Sequence, residues 1–171
     1  MDSFPAIEID KVKAWDFRLA NINTSECLNV AYGVDANYLD GVGVSITSIV
    51  LNNRHINLDF YIIADVYNDG FFQKIAKLAE QNQLRITLYR INTDKLQCLP
   101  CTQVWSRAMY FRLFAFQLLG LTLDRLLYLD ADVVCKGDIS QLLHLDLNGA
   151  VAAVVKDVDP MQEKAASRLS D

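Results

Sequence analysis

Cys27-Leu-Asn-Val-Ala-Tyr-Gly-Val-Asp-Ala-Asn-Tyr38 is the stretch of this sequence that decides the fold. Its first half, Cys27 to Tyr32, is a short apolar run of the kind that forms a buried strand. A polar loop begins at Gly33, and from about Leu39 to Leu51 the pattern becomes helical. A strand that leads through a short polar loop into a helix is the basic unit of an α/β protein.

The same alternation continues along the chain. Further strands are predicted at Leu58 to Ala64, Leu84 to Ile91, Arg125 to Leu129 and Ala150 to Val155, and further helices at Phe71 to Gln81, Gln103 to Leu119, Ile139 to Leu145 and Pro160 to Leu169. The helix over 103–119 is apolar nearly all round, which indicates burial between other elements. Uninterrupted apolar strands that alternate with helices are typical of a mostly parallel sheet with helices on both faces.

The length of the chain suits one compact core. It has 171 residues, of which 52% are hydrophobic and 22% are charged. Residues 1–26 mix polar and single apolar residues without a sustained period, and we interpret them as an N-terminal lead-in. Residues 27–171 are therefore predicted to form the domain.

The charge balance argues against nucleic acid as a partner. Sixteen basic and twenty-one acidic side chains give a net charge of −5, so few cations are available to replace the counterions of a phosphate backbone. The longest strongly apolar uncharged run, Leu113 to Leu123, is far shorter than the roughly 20 residues that span a bilayer. The first residues lack the positive and apolar regions of a secretory signal, and we expect a cytoplasmic location.

In a parallel sheet, ligands bind at the carboxyl ends of the strands, and the loop that follows the first strand has side chains suited to a pyrimidine. Asp35 supplies an acceptor, Asn37 an amide that both donates and accepts, and Tyr38 a flat ring. A carboxylate can accept the N3–H of uracil, and a tyrosine can stack on the base. The alternative is that Asp35 is only a turn residue and Tyr38 a core aromatic.

A second group of polar residues, Asp130-Ala131-Asp132, follows the predicted strand Arg125 to Leu129. Side chains at positions i and i+2 of a strand point to the same face, so the two carboxylates can reach one cation. Hard oxygen ligands favour Mg²⁺ or Mn²⁺. The other Asp-x-Asp triplet, Asp157 to Asp159, precedes Pro160 and is interpreted as a helix N-terminus. A strand that simply ends in an acidic turn is the alternative for the first triplet.

An apolar strand followed by Asp-x-Asp also occurs in haloacid dehalogenase-like phosphatases, where the first aspartate is a nucleophile. In that class the motif leaves the first strand and continues into a Gly-Thr turn. Here three predicted strands precede Asp130, and Val133-Val134 follows the triplet. The phosphatase therefore remains an alternative of lower rank.

Four motifs in order resemble glycosyltransferase family 8, and within it the bacterial lipopolysaccharide core glycosyltransferases. They are Asn29 to Leu39, Gly43-Val-Ser-Ile-Thr-Ser48, Tyr110-Phe-Arg-Leu113 and Tyr128-Leu-Asp-Ala-Asp-Val133. The resemblance implies a GT-A fold, which is Rossmann-like, and a UDP-sugar donor. It also implies a divalent cation, Mn²⁺ or Mg²⁺, and sugar transfer with retention of the anomeric configuration.

The resemblance also assigns the first loop. Gly33, Asp35, Asn37 and Tyr38 look like the uridine-binding loop of the family. At the next family position, where an aspartate is often found, this sequence has Ala36. The resemblance therefore assigns no ribose contact to this position.

In the second group, Asp130 and Asp132 look like the metal-binding pair of the family. Asp130 is also expected near the donor sugar. Arg112 looks like the arginine that approaches the donor sugar and pairs with the first aspartate. The alternative for Arg112 is a structural ion pair beneath the sheet, since an arginine on an apolar helix needs a carboxylate partner in either case.

Family members are longer than this chain, and the C-terminal part of the fold is expected to be absent. That part carries the group facing the reacting carbon and a His-x-x-Gly-x-x-Lys segment that completes the metal site. The resemblance implies transfer of glucose from UDP-glucose to a sugar hydroxyl of the lipopolysaccharide outer core. UDP-galactose as the donor and an inactive nucleotide-binding fragment remain alternatives. Any contact with the cytoplasmic face of the inner membrane is expected through the C-terminal part.

Overall fold

The structure, a computed structural model, describes residues 8–19, 26–102 and 106–155. Five strands and three helices follow one another along these residues: β1 Ile9–Asp16, β2 Cys27–Val34, α1 Leu39–Asn52, β3 Asn57–Ala64, α2 Asp69–Asn82, β4 Arg85–Ile91, α3 Phe111–Leu119 and β5 Leu127–Tyr128. Short 3-10 turns lie at Ala36–Tyr38, Asp94–Leu96, Arg107–Tyr110 and Ser140–His144. The predicted alternation of strand and helix is confirmed from β2 to β4.

The strands form one sheet in the order β1-β4-β3-β2-β5. β2 pairs in parallel with both β3 and β5, and β3 pairs in parallel with β4. Only β1, at one edge, is antiparallel to its neighbour β4. The mostly parallel sheet predicted from the apolar strands is therefore confirmed.

Helices cover both faces of the sheet, because alternate side chains of each strand point to opposite sides. On one face, Val30 and Tyr32 of β2 belong to a buried cluster with residues of α1 and α2. On the other face, Ala31 belongs to a second cluster with Phe111 and Phe114 of α3. No helix in the described residues is long and apolar enough to cross a membrane.

The sheet begins earlier than the sequence predicts. No regular element is expected before Cys27, and this expectation is wrong, because β1 forms there. A β-bulge between Lys11 and Lys13 interrupts the pairing of β1 with β4. The half-buried apolar residues of β1 lie three positions apart, because Ile9 packs on the α3 side of the sheet while Val12 and Trp15, at and after the bulge, pack on the other side. This spacing hides the alternation by which a strand is usually recognised.

Helix α3 is shorter and more exposed than the sequence predicts. The helix begins at Phe111, after the 3-10 turn Arg107–Tyr110, and residues 103–105 lie outside the described part. Its inner face is buried against the sheet, whereas Leu113 and Phe116 are exposed. The expectation of a helix buried all round is therefore wrong, since solvent reaches its outer side.

The C-terminal elements differ most from the prediction. The strand expected over 150–155 is absent: no described strand pairs with these residues, and the side chains of Val151, Val154 and Val155 are at least 90% exposed. β5 is only two residues long, and the helix expected from Ile139 is the 3-10 turn Ser140–His144. Both the helix predicted from Pro160 and the second Asp-x-Asp triplet lie outside the described residues.

Candidate functional site

The sheet has one point at which the strand order reverses, and it lies between β2 and β5. From β2 the chain moves to β3 and then to β4 on one side, and it later adds β5 on the other side of β2. β5 pairs with β2 at Val30 and Ala31, and Leu129 N donates a hydrogen bond to Ala31 O at 3.0 Å, so β5 ends three residues before β2 does. Ligands of open α/β sheets bind in the crevice at such a point. The loop Asp35 to Tyr38 and the triplet Asp130 to Asp132 follow these two strands.

In the loop after β2, Asp35 organises the backbone. Its Oδ1 accepts a hydrogen bond from Asn37 N at 3.0 Å and caps the 3-10 turn Ala36–Tyr38. Its Oδ2 accepts a hydrogen bond from Ser106 Oγ at 2.8 Å. A carboxylate has about four lone-pair positions, so Asp35 retains the capacity to accept further donors.

Tyr38 and Asn37 face solvent at this edge of the sheet. The Tyr38 side chain is 54% exposed, and Asn37 is exposed as well. The alternative that Tyr38 is a core aromatic is therefore wrong, whereas Asp35 does act as a turn residue. The loop presents an aromatic ring, an amide and a partly satisfied carboxylate at the carboxyl end of β2.

Gly33 has a packing reason for its lack of a side chain. A Cβ atom there would lie 2.7 Å from Phe111 Cβ and 2.7 Å from the hydroxyl of Tyr128. Neither distance is tolerable for a carbon atom in a packed interior. The glycine therefore lets α3 and β5 approach the end of β2, which brings the two candidate loops together.

The two aspartates after β5 flank a buried residue. Asp130 and Asp132 are exposed, whereas Ala131 between them is buried in the core. A turn with Val133 N donating to Asp130 O at 3.3 Å follows the strand. On the inner side, a Cβ atom at Gly41 of α1 would lie 3.0 Å from Ala131 O, so this glycine permits close contact between the helix and the loop.

Arg112, in the first turn of α3, pairs with the first of these aspartates. Its Nη2 donates to Asp130 Oδ1 at 3.0 Å, and its guanidinium lies 5.3 Å from the ring centroid of Tyr128. The side chains of Arg112 and Asp130 are 45% and 58% exposed. A pair beneath the sheet is therefore the wrong description. A surface pair of this kind contributes less than about 1 kcal/mol to stability, so it leaves both groups available to a ligand.

Burial near this ion pair changes the pKa of the neighbouring Tyr128. Desolvation raises the pKa of Tyr128 to about 12, while the neighbouring Arg112 opposes the shift. The phenol is therefore neutral at physiological pH and acts as a hydrogen-bond donor. Its contact to Gly33 O, at 3.4 Å, is long for such a bond.

The donor atoms at the carboxyl ends of β2 and β5 suit a hard divalent cation but do not by themselves complete its coordination. Asp130 and Asp132 offer carboxylate oxygens, which Mg²⁺ and Mn²⁺ prefer. In the described ranges 8–19, 26–102 and 106–155, no group of three or more His, Cys, Asp or Glu side chains is arranged to hold a metal. A cation bound by the two aspartates would need further oxygen donors from a ligand and from water.

Two further polar residues near this edge, Ser106 and Asp65, are not among the site residues predicted from the sequence. Ser106 binds Asp35 from 71 positions away, and nothing in the local sequence signals that contact. Asp65 directly follows β3, so a search of the residues after every apolar strand would have found it. Its Oδ1 is buried without a hydrogen-bond partner among the described residues. Burial raises the pKa of Asp65, and the charge of Asp35 adds to the shift.

Comparison with protein families gives one match that covers most of the chain. The model of glycosyl transferase family 8 matches residues 29–171. The chain belongs to glycosyltransferase family 8. This confirms the resemblance drawn from the four motifs, and it removes the haloacid dehalogenase-like phosphatase as an alternative.

Among curated proteins, the chain is 98% identical over all 171 residues to the lipopolysaccharide 1,2-glucosyltransferase of Escherichia coli strain K12, of which it covers 51%. It is 38% identical over 143 residues to the lipopolysaccharide 1,3-galactosyltransferase of Salmonella typhimurium strain LT2. That match covers 83% of this chain and 42% of the relative. The chain therefore spans about half the length of the curated relatives it matches.

Among solved structures, the fold is similar to that of the galactosyltransferase LgtC in complex with donor and acceptor sugar analogues. The TM-score is 0.61 at 20% sequence identity, and the match covers 70% of this chain and 43% of LgtC. The likeness shows the fold, and the expected GT-A class is confirmed. The shares of LgtC and of the curated relatives also agree with the expectation that further parts of the family fold lie outside this chain.

Proposed function

We propose that this chain is the donor-binding half of a retaining glycosyltransferase that moves glucose from UDP-glucose to a sugar hydroxyl of the lipopolysaccharide outer core. One observation carries the proposal. The loop after β2 and the Asp130-Ala131-Asp132 loop after β5 lie at the carboxyl ends of adjacent parallel strands, at the reversal of strand order. The 98% identity to a lipopolysaccharide 1,2-glucosyltransferase supports the choice of substrates.

In this proposal the loop after β2 binds the uridine. The exposed ring of Tyr38 offers a stacking surface for the base, worth about 1 to 3 kcal/mol. Asp35 is held by the backbone of Asn37 and by Ser106, so its position is set before the nucleotide arrives. Its remaining acceptor positions suit the N3–H of uracil, and the Asn37 amide suits a carbonyl edge. A guanine base also carries an N–H beside a carbonyl, and we expect it to be excluded because the larger purine does not fit the same stack.

The loop after β5 is proposed to bind the diphosphate through a divalent cation. Asp130 and Asp132 would hold Mn²⁺ or Mg²⁺, which when bound supplies Lewis-acid stabilisation of the charge on the departing diphosphate. The exposure of both carboxylates leaves them accessible for this role. Within the described ranges no third His, Cys, Asp or Glu side chain joins the two aspartates, so we expect oxygens of the nucleotide and of water to complete the coordination.

Arg112 is proposed to orient the donor sugar. Its guanidinium uses one nitrogen for Asp130 and contacts the ring of Tyr128. The remaining N–H groups of an arginine can donate to sugar hydroxyls. Asp130 would thus be held by the arginine while it faces both the cation and the sugar. Holding these groups in one geometry is worth several kcal/mol of barrier, because it avoids the entropy cost of orienting them during the reaction.

The donor sugar and the cellular location also belong to the proposal. Glucose is preferred over galactose because of the glucosyltransferase relative, while the 38% identity to a galactosyltransferase keeps UDP-galactose as the competing donor. We propose that the protein acts in the cytoplasm, with any approach to the inner membrane made through sequence beyond this chain.

The experiment is a calorimetric titration of this chain with UDP-glucose, UDP-galactose, UDP and GDP-mannose, each with and without Mn²⁺. The uridine nucleotides are expected to bind, and to bind more tightly with Mn²⁺, whereas GDP-mannose is expected not to bind. Equal affinity for uridine and guanosine nucleotides would contradict the assignment of the Asp35 loop. Tighter binding of UDP-galactose than of UDP-glucose would favour the alternative donor.

Sugar transfer by this chain alone is expected to be far below that of a chain extended to the length of its relatives. Two aspartates leave a cation weakly held, and loss of positioning groups removes barrier lowering. The measurement is radiolabelled transfer from UDP-glucose to truncated acceptor lipopolysaccharide, with both chains run side by side. Comparable rates would show that the catalytic groups lie wholly within residues 1–171.

A further inference from the structure

The Asp130-Ala131-Asp132 loop has little support from the sheet. β5, which precedes it, has two residues and pairs with β2 through Val30 and Ala31 only. Two pairings are a weak anchor, since a strand of ordinary length has five or six residues. A loop that must hold two carboxylates in a fixed geometry therefore needs a second attachment on its other side.

The second attachment is helix α1. At the first turn of the helix, Gly41 lies against Ala131. Further along, Ser48 Oγ accepts a hydrogen bond from Cys135 N at 2.9 Å, and Asn52 Nδ2 donates to Cys135 O at 3.1 Å. The segment that follows the aspartates thus runs along α1 in the same direction as the helix.

The residue after the helix completes the attachment. Asn53 is fully buried, and its Oδ1 accepts a hydrogen bond from Ile139 N at 2.8 Å. Its Nδ2 donates to Gly137 O at 3.2 Å and to Ile49 O at 2.9 Å. Ser48, Asn52 and Asn53 together satisfy four backbone groups between residues 135 and 139. We call these three side chains the α1 clamp.

We infer that the α1 clamp is a positioning device for the metal-binding aspartates. Its residues touch neither aspartate, so their effect passes through the backbone of residues 133–139. The inference rests on the proposed function, in which Asp130 and Asp132 hold a divalent cation. It also gives a role to the end of the motif Gly43 to Ser48, which the binding of uridine leaves unexplained.

Other side chains of the same motif, and of helix α2, make contacts that serve only the core or their own helix. They can distinguish the effect of the clamp from an effect on helix stability. Ser45 bonds the buried hydroxyl of Tyr32 at 3.0 Å and therefore serves the core. Thr47 is exposed, and its Oγ1 donates only to Gly43 O within the helix, at 2.7 Å. Asn82, in the last turn of α2, donates to Leu78 O in the way that Asn52 donates to Ser48 O. Thr47 and Asn82 are therefore matched controls for Ser48 and Asn52.

The test compares the double variant Ser48→Ala/Asn52→Ala with the control double variant Thr47→Ala/Asn82→Ala, both in this chain. UDP affinity is measured by calorimetry over a range of Mn²⁺ concentrations, and thermal unfolding is followed alongside. Groups that orient metal ligands through other residues typically change metal affinity by 10- to 100-fold. In the clamp variant we expect the Mn²⁺ concentration for half of the maximal effect to rise about tenfold or more, with unchanged UDP affinity in the absence of metal.

Rescue by a conservative change adds a second readout. Ser48→Thr keeps the hydroxyl that accepts from Cys135 N, so Ser48→Thr/Asn52→Ala should recover part of the Mn²⁺ sensitivity. A clamp variant with the same Mn²⁺ dependence as the control variant would overturn the inference alone. A parent chain whose UDP affinity does not respond to Mn²⁺ would overturn the metal part of the proposed function and the inference with it.

Discussion

Carboxylates at the two ends of the parallel strands differ in burial and in ion pairing. At the amino end, Asp59 of β3 is 1% exposed, and both its oxygens are paired, with Arg85 of the neighbouring β4 and with Arg18. At the carboxyl end, Asp130 has one pairing with a half-exposed arginine, and Asp132 is exposed. At the amino end, two arginines neutralise the carboxylate and occupy both of its oxygens. At the carboxyl end, the carboxylates remain available to a ligand.

The antiparallel direction of β1 explains the arrangement at the amino end. Because β1 runs against the other strands, the residues that follow it reach the amino end of the sheet, and Arg18 lies 3.2 Å from Asp59 there. Burial raises the pKa of Asp59, and Arg85 and Arg18 oppose the shift. The cluster therefore fastens the edge strand to the sheet, and we assign it no role in binding.

The largest effect that we expect is on stability, from Asp59→Ala. Removing one partner of a buried ion pair leaves the others uncompensated and costs about 3 to 5 kcal/mol. The free energy of unfolding from urea denaturation measures the loss. Asp16→Asn is the matched control, since it removes an exposed carboxylate from the same Arg18 and should cost less than about 1 kcal/mol. Equal losses in the two variants would remove the distinction between buried and exposed carboxylates.

The next effect is on nucleotide binding, from Asp35→Ala. The variant leaves the N3–H of uracil without an acceptor, and UDP affinity should fall by about 1 to 3 kcal/mol in calorimetry. Because Asp35 also holds Ser106, the variant Ser106→Ala tests whether the loss arises from the loop alone. Ser106→Ala is expected to lower the affinity less. An unchanged UDP affinity in Asp35→Ala would contradict the assignment of this loop to uridine.

A smaller effect is expected when the exposed ion pair is broken. Arg112→Ala should change the free energy of unfolding by less than about 1 kcal/mol, because both partners are about half exposed. Its affinity for UDP-glucose should nevertheless fall more than its affinity for UDP, since the arginine is proposed to contact the sugar. The ratio of the two affinities is the measurement. A stability loss as large as that of Asp59→Ala would show that the pair serves the fold.

The smallest expected effect is a change in the pH dependence of stability. Burial raises the pKa of Asp65 above its ordinary value of 3.8, so the folded state favours the protonated form. The stabilising contribution of that form is complete below the ordinary pKa and is lost as the pH rises through the pKa of the folded state. Asp65→Asn should therefore gain stability relative to the parent chain as the pH rises. Urea unfolding measured from below the ordinary pKa of Asp65 to above its pKa in the folded state tests the direction of this change. Asp124→Asn, at an exposed position, is the control for net charge.

Much of the domain could be predicted from sequence, because its signals are local. Strands β2, β3 and β4 and helices α1 and α2 lie within two residues of their predicted bounds, since each has an unbroken apolar run or a clear helical period. The residues that follow β2 and β5 were selected by the same logic. Their proximity follows from parallel strands that end at a common edge.

The remaining features depend on contacts between distant parts of the chain. The bulge in β1 hides the alternation of that strand, and the position of β1 beside β4 depends on pairing across about 70 to 80 residues of sequence. The clamp joins Asn53 to Ile139, and Ser106 binds Asp35. In both cases the two residues are separated by a similar length of sequence. An apolar run such as 150–155 also needs a neighbouring strand before it becomes part of a sheet, and no described strand pairs with it.

The proposed cation site at Asp130 and Asp132 is tested most directly by the Mn²⁺ dependence of UDP affinity in Asp132→Asn. Asparagine keeps the size of the side chain and removes the charge that a hard cation requires. Asp159→Asn makes the same change in the other Asp-x-Asp triplet of the sequence and serves as the control. We expect that Mn²⁺ no longer strengthens UDP binding in Asp132→Asn and still does so in Asp159→Asn. Full Mn²⁺ dependence in Asp132→Asn would contradict this expectation and would show that the cation is held elsewhere.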